Sequence, residues 1–268
     1  MAKKSNRTAK TSNRYELYEA SVYDPDADLD FLLREFEARN EREPMRLRED
    51  FSGTSKLSVI WVKSSEQRSA WAVDLDPEPL HWGCKRHIHR LSDDQQNRIE
   101  QLEENVLSVE TPQVDVLTAF NFSYWVFKER ETLLSYFRKA YAALSVDGLF
   151  CLDIMGGPEA QQEVEEPREM DGFDYLWEQE GMCPITHHAI CHISFDFPDG
   201  SKMKRAFTYD WRLWSLAELR DLALEAGFTE FEVFWEGATD EGEGDGNFIS
   251  TESAEVEEAW IAYLCCWK

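Results

Sequence analysis

Beyond residue 45 the chain alternates between two hydrophobic periods. Short runs that are apolar throughout, or at every second position, read as strands. They are "MRLREDF", "SAWAVDLD" (69–76), the weaker "NRIEQLEENVL", "VDVLTAFNF" (114–122) and "LFCLDIM" (149–155). Between them the apolar positions fall at helical spacing. "TSKLSVIWVKSS" sets Leu57, Ile60 and Trp61 on one face. "PEPLHWGCKRHIHRL" carries proline in its first turn, where a missing N–H costs nothing. Leu133, Phe137, Ala140, Tyr141 and Leu144 share a face, and "VDG" at 146–148 ends that helix. This alternation predicts an α/β fold, a doubly wound and mostly parallel sheet with helices on both faces. Right-handed crossovers then bring the strand C-termini to one edge, where open α/β sheets bind ligands.

The flanks follow other patterns. Leu29, Leu32, Leu33 and Phe36 mark a helix before the first strand, preceded by Tyr15, Tyr18 and Tyr23. Residues 15–44 are therefore expected to form an N-terminal helical lid, and the basic "MAKKSNRTAKTSNR" (1–14) a disordered tail. After residue 155, two alternating runs flank "PDGS", a hairpin signal. They predict an antiparallel hairpin insertion over about 172–214 within a domain spanning 45–268. "SLAELRDLALEAGF" follows as a helix, with Ser215 and Glu218 as its capping box and Gly227 as its stop. "EFEVFWEG" and "AWIAYLCCW" read as strands, and "EGATDEGEGDGNFISTESAEVEE" between them as a loop.

Composition narrows the classes. The chain has 268 residues, 43% of them apolar, with 10 Trp, 16 Phe and 9 Tyr, enough for a sizeable core. A formal charge of −25 repels phosphate backbones, so no nucleic-acid partner is expected. No stretch reaches the ~18 apolar residues of a membrane span, and no apolar region follows the N-terminal charges, so neither a membrane anchor nor a secretory signal is expected. The 6 cysteines show no disulfide-framework spacing and read as reduced thiols of a cytoplasmic protein.

Two segments carry the chemistry. "EDFSGTS" lies between a strand and a helix N-terminus, where free N–H groups and the helix dipole are available. Gly53 there allows close approach of a ligand. Asp74 ends the next strand in "AVDLDPEPL", and a carboxylate at that place can accept both hydrogen bonds of a ribose diol.

In these residues the chain resembles the class I S-adenosylmethionine-dependent methyltransferases. Glu49 matches the acidic position of their first motif. Phe51, Ser52, Gly53, Thr54 and Ser55 match its turn, with Phe51 and Ser55 where the first and third glycines usually stand. Asp74 matches the ribose-binding acid, with Leu75 against the adenine. "ENVL" matches the third-strand motif, with Asn105 at the adenine amine and Val106 on the ring. "LTAFNFSYW" matches the fourth, with Ala119, Phe120 and Asn121 near the methionine part. The resemblance covers about 45–155 and 213–267. It implies a Rossmann-like methyltransferase fold with a seven-stranded sheet whose last strand is antiparallel. It also implies S-adenosylmethionine as cofactor and a small-molecule methyl acceptor; association into a homo-oligomer is left open by the sequence.

Such chemistry needs orientation and a dry site; an amine needs little more than the loss of one proton, whereas an oxygen nucleophile wants a base. No residue declares itself as that base in the sequence. Tyr15, Tyr18, Tyr23, Tyr124 and Trp125 are expected near the substrate, where an aromatic face can meet a sulfonium. Two metal patterns are set aside. In "CPITHHAICH", His188 and His192 on a strand would stand about 13 Å apart, too far for zinc. "EGEGDGNFISTE" (241–252) has calcium-loop spacing from Glu241, Glu243 and Asp245 to Glu252, but a strand precedes it and Glu replaces the usual first Asp. Two further readings stay open: a nicotinamide-dependent oxidoreductase, which lacks a full G-x-G-x-x-G here, and a non-catalytic binding or scaffold protein, which Phe51 and Ser55 would suit.

Overall fold

A computed structural model describes residues 7–239 and 244–268. Helix α1 (Arg14–Ser21) starts at Asn13, whose side chain accepts from the N–H groups of Tyr15 and Glu16. Helix α2 (Pro25–Asn40) is capped by Asp24 and opens on Pro25. Strands and helices then alternate: β1 (Arg46–Asp50), α3 (Lys56–Ser64), β2 (Ser69–Asp74), α4 (Pro77–Arg86), the single turn α5 (Asp93–Gln96), β3 (Ile99–Glu103), β4 (Val114–Ala119), α6 (Arg130–Ala143) and β5 (Leu144–Gly156). Four strands follow, β6 (Val164–Met170), β7 (Phe173–Gln179), β8 (His188–Asp196) and β9 (Lys202–Arg212). Helix α7 (Leu216–Ala226), β10 (Glu230–Ala238), β11 (Gly244–Ser250) and β12 (Trp260–Trp267) complete the chain.

The large sheet has the order β11-β10-β12-β5-β4-β1-β2-β3. Strands β3, β2, β1, β4 and β5 are parallel, and β12 runs antiparallel between β5 and β10. The sheet winds in opposite directions from the boundary between β1 and β4, which makes that boundary its switch point. Neighbouring residues along a strand enter opposite cores, as side-chain alternation requires. Leu149 and Cys151 join the core under α2 and α3, while Phe150 and Leu152 join the one under α6 and α7. The capping box of Ser215 and Glu218 starts α7, and Gly227 at φ 116° ends it.

The sheet has eight strands where seven were expected, because part of the glycine- and acid-rich segment read as a loop is β11, antiparallel to β10. Almost all of β11 is solvent-exposed, so it carries no apolar alternation. The insertion is a four-stranded sheet, β6-β7-β8-β9, that begins at Val164 rather than near residue 172. Strand β6 is a polar edge containing Pro167, a residue that edges tolerate and sequence patterns mark as non-strand. Of the stretch expected to be a disordered tail, residues 1–6 lie outside the described residues. Arg7 donates to the Asp171 carbonyl (3.2 Å) and the Ala9 N–H to Ser201 Oγ (2.9 Å), so the rest is docked on the insertion. No described helix is long and apolar enough to cross a membrane.

Candidate active site

The turn after β1 has the shape of a glycine loop without most of the glycines. Phe51, Gly53 and Ser55 all adopt left-handed backbone, at φ 55°, 51° and 59°. That conformation costs a side-chain-bearing residue about 1–2 kcal/mol, so something must hold it. The Phe51 ring packs edge-on against Phe127 and Tyr136, turned into the core. Ser55 is fully buried, its Oγ accepting from Gln101 Nε2 (2.9 Å). Both side chains leave the mouth of the turn free. At Gly53 no atom lies within 4 Å of where a Cβ would stand, an open cradle, and the buried Ser52 Oγ has no partner. From below, α4 presses on the turn through Gly83, where a Cβ would meet the Thr54 carbonyl oxygen at 2.0 Å.

Carboxylates tie this turn to its neighbours. Asp74 accepts from the N–H groups of Gly53 (2.7 Å) and Asp76 (2.9 Å), and burial raises its pKa. Leu75 beside it is 67% exposed, an apolar surface with nothing on it. Glu49 faces inward. It accepts from the Ser58 N–H (2.9 Å) and Oγ (2.6 Å) and from the Tyr23 hydroxyl (3.0 Å), and burial pushes it up to about 7. Asp50 is paired with Arg48 (2.7 Å) and receives the Tyr136 hydroxyl, while Arg48 also donates to the Val106 carbonyl. Asn105 lies at the surface with Oδ1 on the Leu107 N–H (2.9 Å), whereas the Val106 and Ala119 side chains are in the core.

Across the switch point, at the same edge, lies a cavity of about 560 Å³. Its floor is the end of β4 and β5. Asn121 and Phe122 are left-handed in succession (φ 56° and 55°), and their N–H groups both donate to Asp153 (2.7 and 2.9 Å). A wall from the insertion carries Tyr175, Trp177, Tyr209 and Trp211, with the last two stacked at 4.4 Å. The lid contributes Tyr18, Tyr23 and Asp28, and Asp28 accepts the hydroxyl hydrogen of Tyr263 from β12. Burial pushes Asp28 and Asp153 each up to about 7, and their mutual repulsion adds to it at Asp153. Neither has a cationic partner among the described residues. These are the groups the sequence did not expose: Asp28 looks like a helix surface residue and Asp153 the end of an apolar strand.

The lid is fastened over both regions. Glu19 on α1 accepts from Thr54 Oγ1 (2.6 Å), contacts His87 Nε2 (2.7 Å) and lies 3.8 Å from Lys56 Nζ. Burial acts to raise its pKa, yet the bonds from His87 and Thr54 prevail and hold it below the ordinary value. Arg14 reaches Glu78 (2.7 Å) and the Ala206 carbonyl (3.3 Å).

Of the aromatic residues expected near a substrate, Tyr18 and Tyr23 line the cavity. Tyr15 packs instead between Trp82 and Phe207. Tyr124 and Trp125 are fully buried below the floor, the Tyr124 hydroxyl donating to the Asp153 carbonyl (2.9 Å), because the segment after β4 turns inward as a short 3-10 helix. Phe120 and Asn121 are on the cavity surface. Among the described residues no three His, Cys, Asp or Glu side chains converge as a metal site. Glu241 and Glu243 of the calcium-like spacing lie outside the described residues, and Asp245, Gly246 and Phe248 belong to β11.

No protein-family model matches the chain, and no curated protein matches it by sequence. Solved structures do match in fold. An S-adenosylmethionine-dependent methyltransferase from Clostridium acetobutylicum ATCC 824 superposes with a TM-score of 0.67 at 16% identity, over 93% of this chain and 96% of that one. CalS10, an amino pentose methyltransferase from Micromonospora echinaspora, gives 0.64 at 12% identity over 94% and 97%. The sugar N-methyltransferase KedS8 from Streptoalloteichus sp ATCC 53650 gives 0.60 at 13% identity over 98% and 95%. With its switch point, its antiparallel last strand and its turn after β1, the chain has the fold of the class I S-adenosylmethionine-dependent methyltransferases.

Proposed function

We propose that the protein transfers a methyl group from S-adenosylmethionine to an amine-bearing small molecule. The observation that carries this reading is the placement of two unlike sites on one sheet edge, either side of the switch point. One is the open cradle at Gly53 with Asp74 and Leu75; the other is the aromatic cavity holding Asp28 and Asp153. The residues of the first fit a nucleoside carrying a positively charged sulfur. Asp74 has lone pairs left for a ribose diol, Leu75 offers an apolar face, and the Gly53 turn admits backbone contact. The surface amide of Asn105 would meet the adenine edge, and Phe120 and Asn121 form the border with the second site. When bound, the cofactor would supply an activated methyl group on a positively charged sulfur, which would keep the bonding electron pair as the acceptor nitrogen takes the methyl.

This chain's residues do the rest. Aromatic walls exclude water and favour a cation over their faces. Asp28 and Asp153, without a cation of their own, attract an ammonium group and take its proton, freeing the lone pair that attacks. Carboxyl groups near pH 7 in affinity are matched to that exchange. The amine reading is supported by this acidic lining and agrees with the amino pentose and sugar N-methyl chemistry of the two fold relatives.

Thermal-shift titration of wild type and Asp74→Asn with S-adenosylhomocysteine and with NAD tests the cofactor half. S-adenosylhomocysteine is expected to stabilise wild type, following RT ln(1 + [L]/Kd), and to bind Asp74→Asn about tenfold more weakly, through loss of a charge-assisted bond. A shift with NAD alone would replace the methyltransferase reading with the oxidoreductase one.

A further inference from the structure

A second chamber of about 590 Å³ adjoins the first. The two share five lining residues, Met155, Glu166, Trp177, Glu236 and Ile261, which form a waist between them. Glu166 and Trp177 are directly opposed on β6 and β7, so a carboxylate stands beside an indole. Glu236, from β10, comes to the same waist, and burial raises its pKa. Beyond the waist, Glu159 and Trp260 continue the lining, and the described residues there include no Lys or Arg. Arg168 is the one basic residue of the first chamber among those described, and its guanidinium lies on the Tyr175 ring at 4.5 Å.

Two carboxylates with an indole face are the composition of an ammonium site. The waist, which begins two residues along β5 from Asp153 and two along β12 from Tyr263, thus repeats the chemistry of Asp153 at the floor and Asp28 on the lid. Trp211, which also lines the first chamber, is itself buried and keeps an indole N–H without a partner. We infer that the methyl acceptor is a molecule with two basic nitrogens, one held at Asp28 and Asp153 and the other at the waist by Glu166, Glu236 and Trp177. This rests on the methyl-transfer reading for the first nitrogen's role, but not for the binding itself.

The test uses the full chain and two probe series, α,ω-diaminoalkanes of increasing length and the n-alkylamines of the same lengths. Affinities are measured by calorimetry with and without saturating S-adenosylhomocysteine. At the length that spans floor to waist, the diamine is expected to bind about tenfold more tightly than its monoamine, the worth of one added charge-assisted contact. In the double variant Glu166→Gln/Glu236→Gln that preference is expected to vanish, with circular dichroism checking that the variant is folded. Equal affinities at every length, a preference that survives the double variant, or no amine binding at all would overturn the inference. If S-adenosylhomocysteine fails to bind while the diamine preference stands, the cofactor reading falls and the dibasic site remains.

Discussion

The regions on either side of the switch point handle buried charge in opposite ways. Beneath the β1 turn, Asp50 is neutralised by Arg48 at 2.7 Å, and both are essentially removed from solvent. In the cavity, Asp28 and Asp153 are bonded only to a tyrosine hydroxyl and to backbone N–H groups. The first arrangement is complete and holds a loop in place. The second is incomplete and costs the free protein stability, which is what a site for a cation requires. The same contrast runs through the glycines: Gly83 is spent on packing against Thr54, while Gly53 faces open space.

Four substitutions press on this contrast. The largest effect is expected from Arg48→Met, which strands Asp50 and should cost about 3–5 kcal/mol, read as a lower midpoint in urea unfolding. A loss no greater than that of an exposed arginine would mean that Asp50 is not a compensated charge. Next come the glycines. Gly83→Ala should lower stability by about 1–3 kcal/mol through overpacking and remove the S-adenosylhomocysteine shift as the turn is displaced. Gly53→Ala meets no atom and should cost only about 1 kcal/mol, the strain of a side chain at φ 51°, while weakening the ligand, so a Gly83→Ala loss no larger than this would erase the distinction.

The smallest and most telling change is Asp28→Asn. Burial lifts the Asp28 pKa from 3.8 to about 7. Between those values the folded state holds a proton that the unfolded chain has released, so wild type loses stability as pH rises through that window. The asparagine cannot ionise. Its variant should therefore exceed wild type by on the order of 1–3 kcal/mol above pH 7, with the gain gone below pH 4. The groups facing this carboxyl are Tyr263, Asp24, Asp153, Glu49, Tyr23 and Cys151, and all of them remain. Turnover of an amine should fall in the same variant. A destabilised Asp28→Asn at alkaline pH would show that the carboxylate is already satisfied.

The sequence exposed these two regions unequally. The cofactor side is local: Glu49 to Ser55 are one turn and Asp74 ends the next strand, so a strand–turn–helix pattern locates them. Even the departures at Phe51 and Ser55 were visible, although their left-handed backbone was not. The cavity draws on the lid, two internal strands, the insertion and the last strand, and no spacing rule joins Asp28 to Asp153 or Tyr263. Strands β6 and β11 were missed for another reason. They are exposed edges held by their neighbours' backbones, and hydrophobic periodicity reports only buried faces.

The bond between Asp28 and Tyr263 also bears on when the protein becomes complete. It spans 235 positions, joining the first long helix to the last strand. During synthesis the strands from β1 to β5 can assemble as they emerge, but β12, the neighbour of β5, comes last. Until it inserts, α2 has no Tyr263 to hold and the cavity lacks a wall. The parallel core is thus available early to the growing chain, whereas a working cavity awaits the emergence of β12. Deleting β12 should spare much of that early core and abolish the cavity outright.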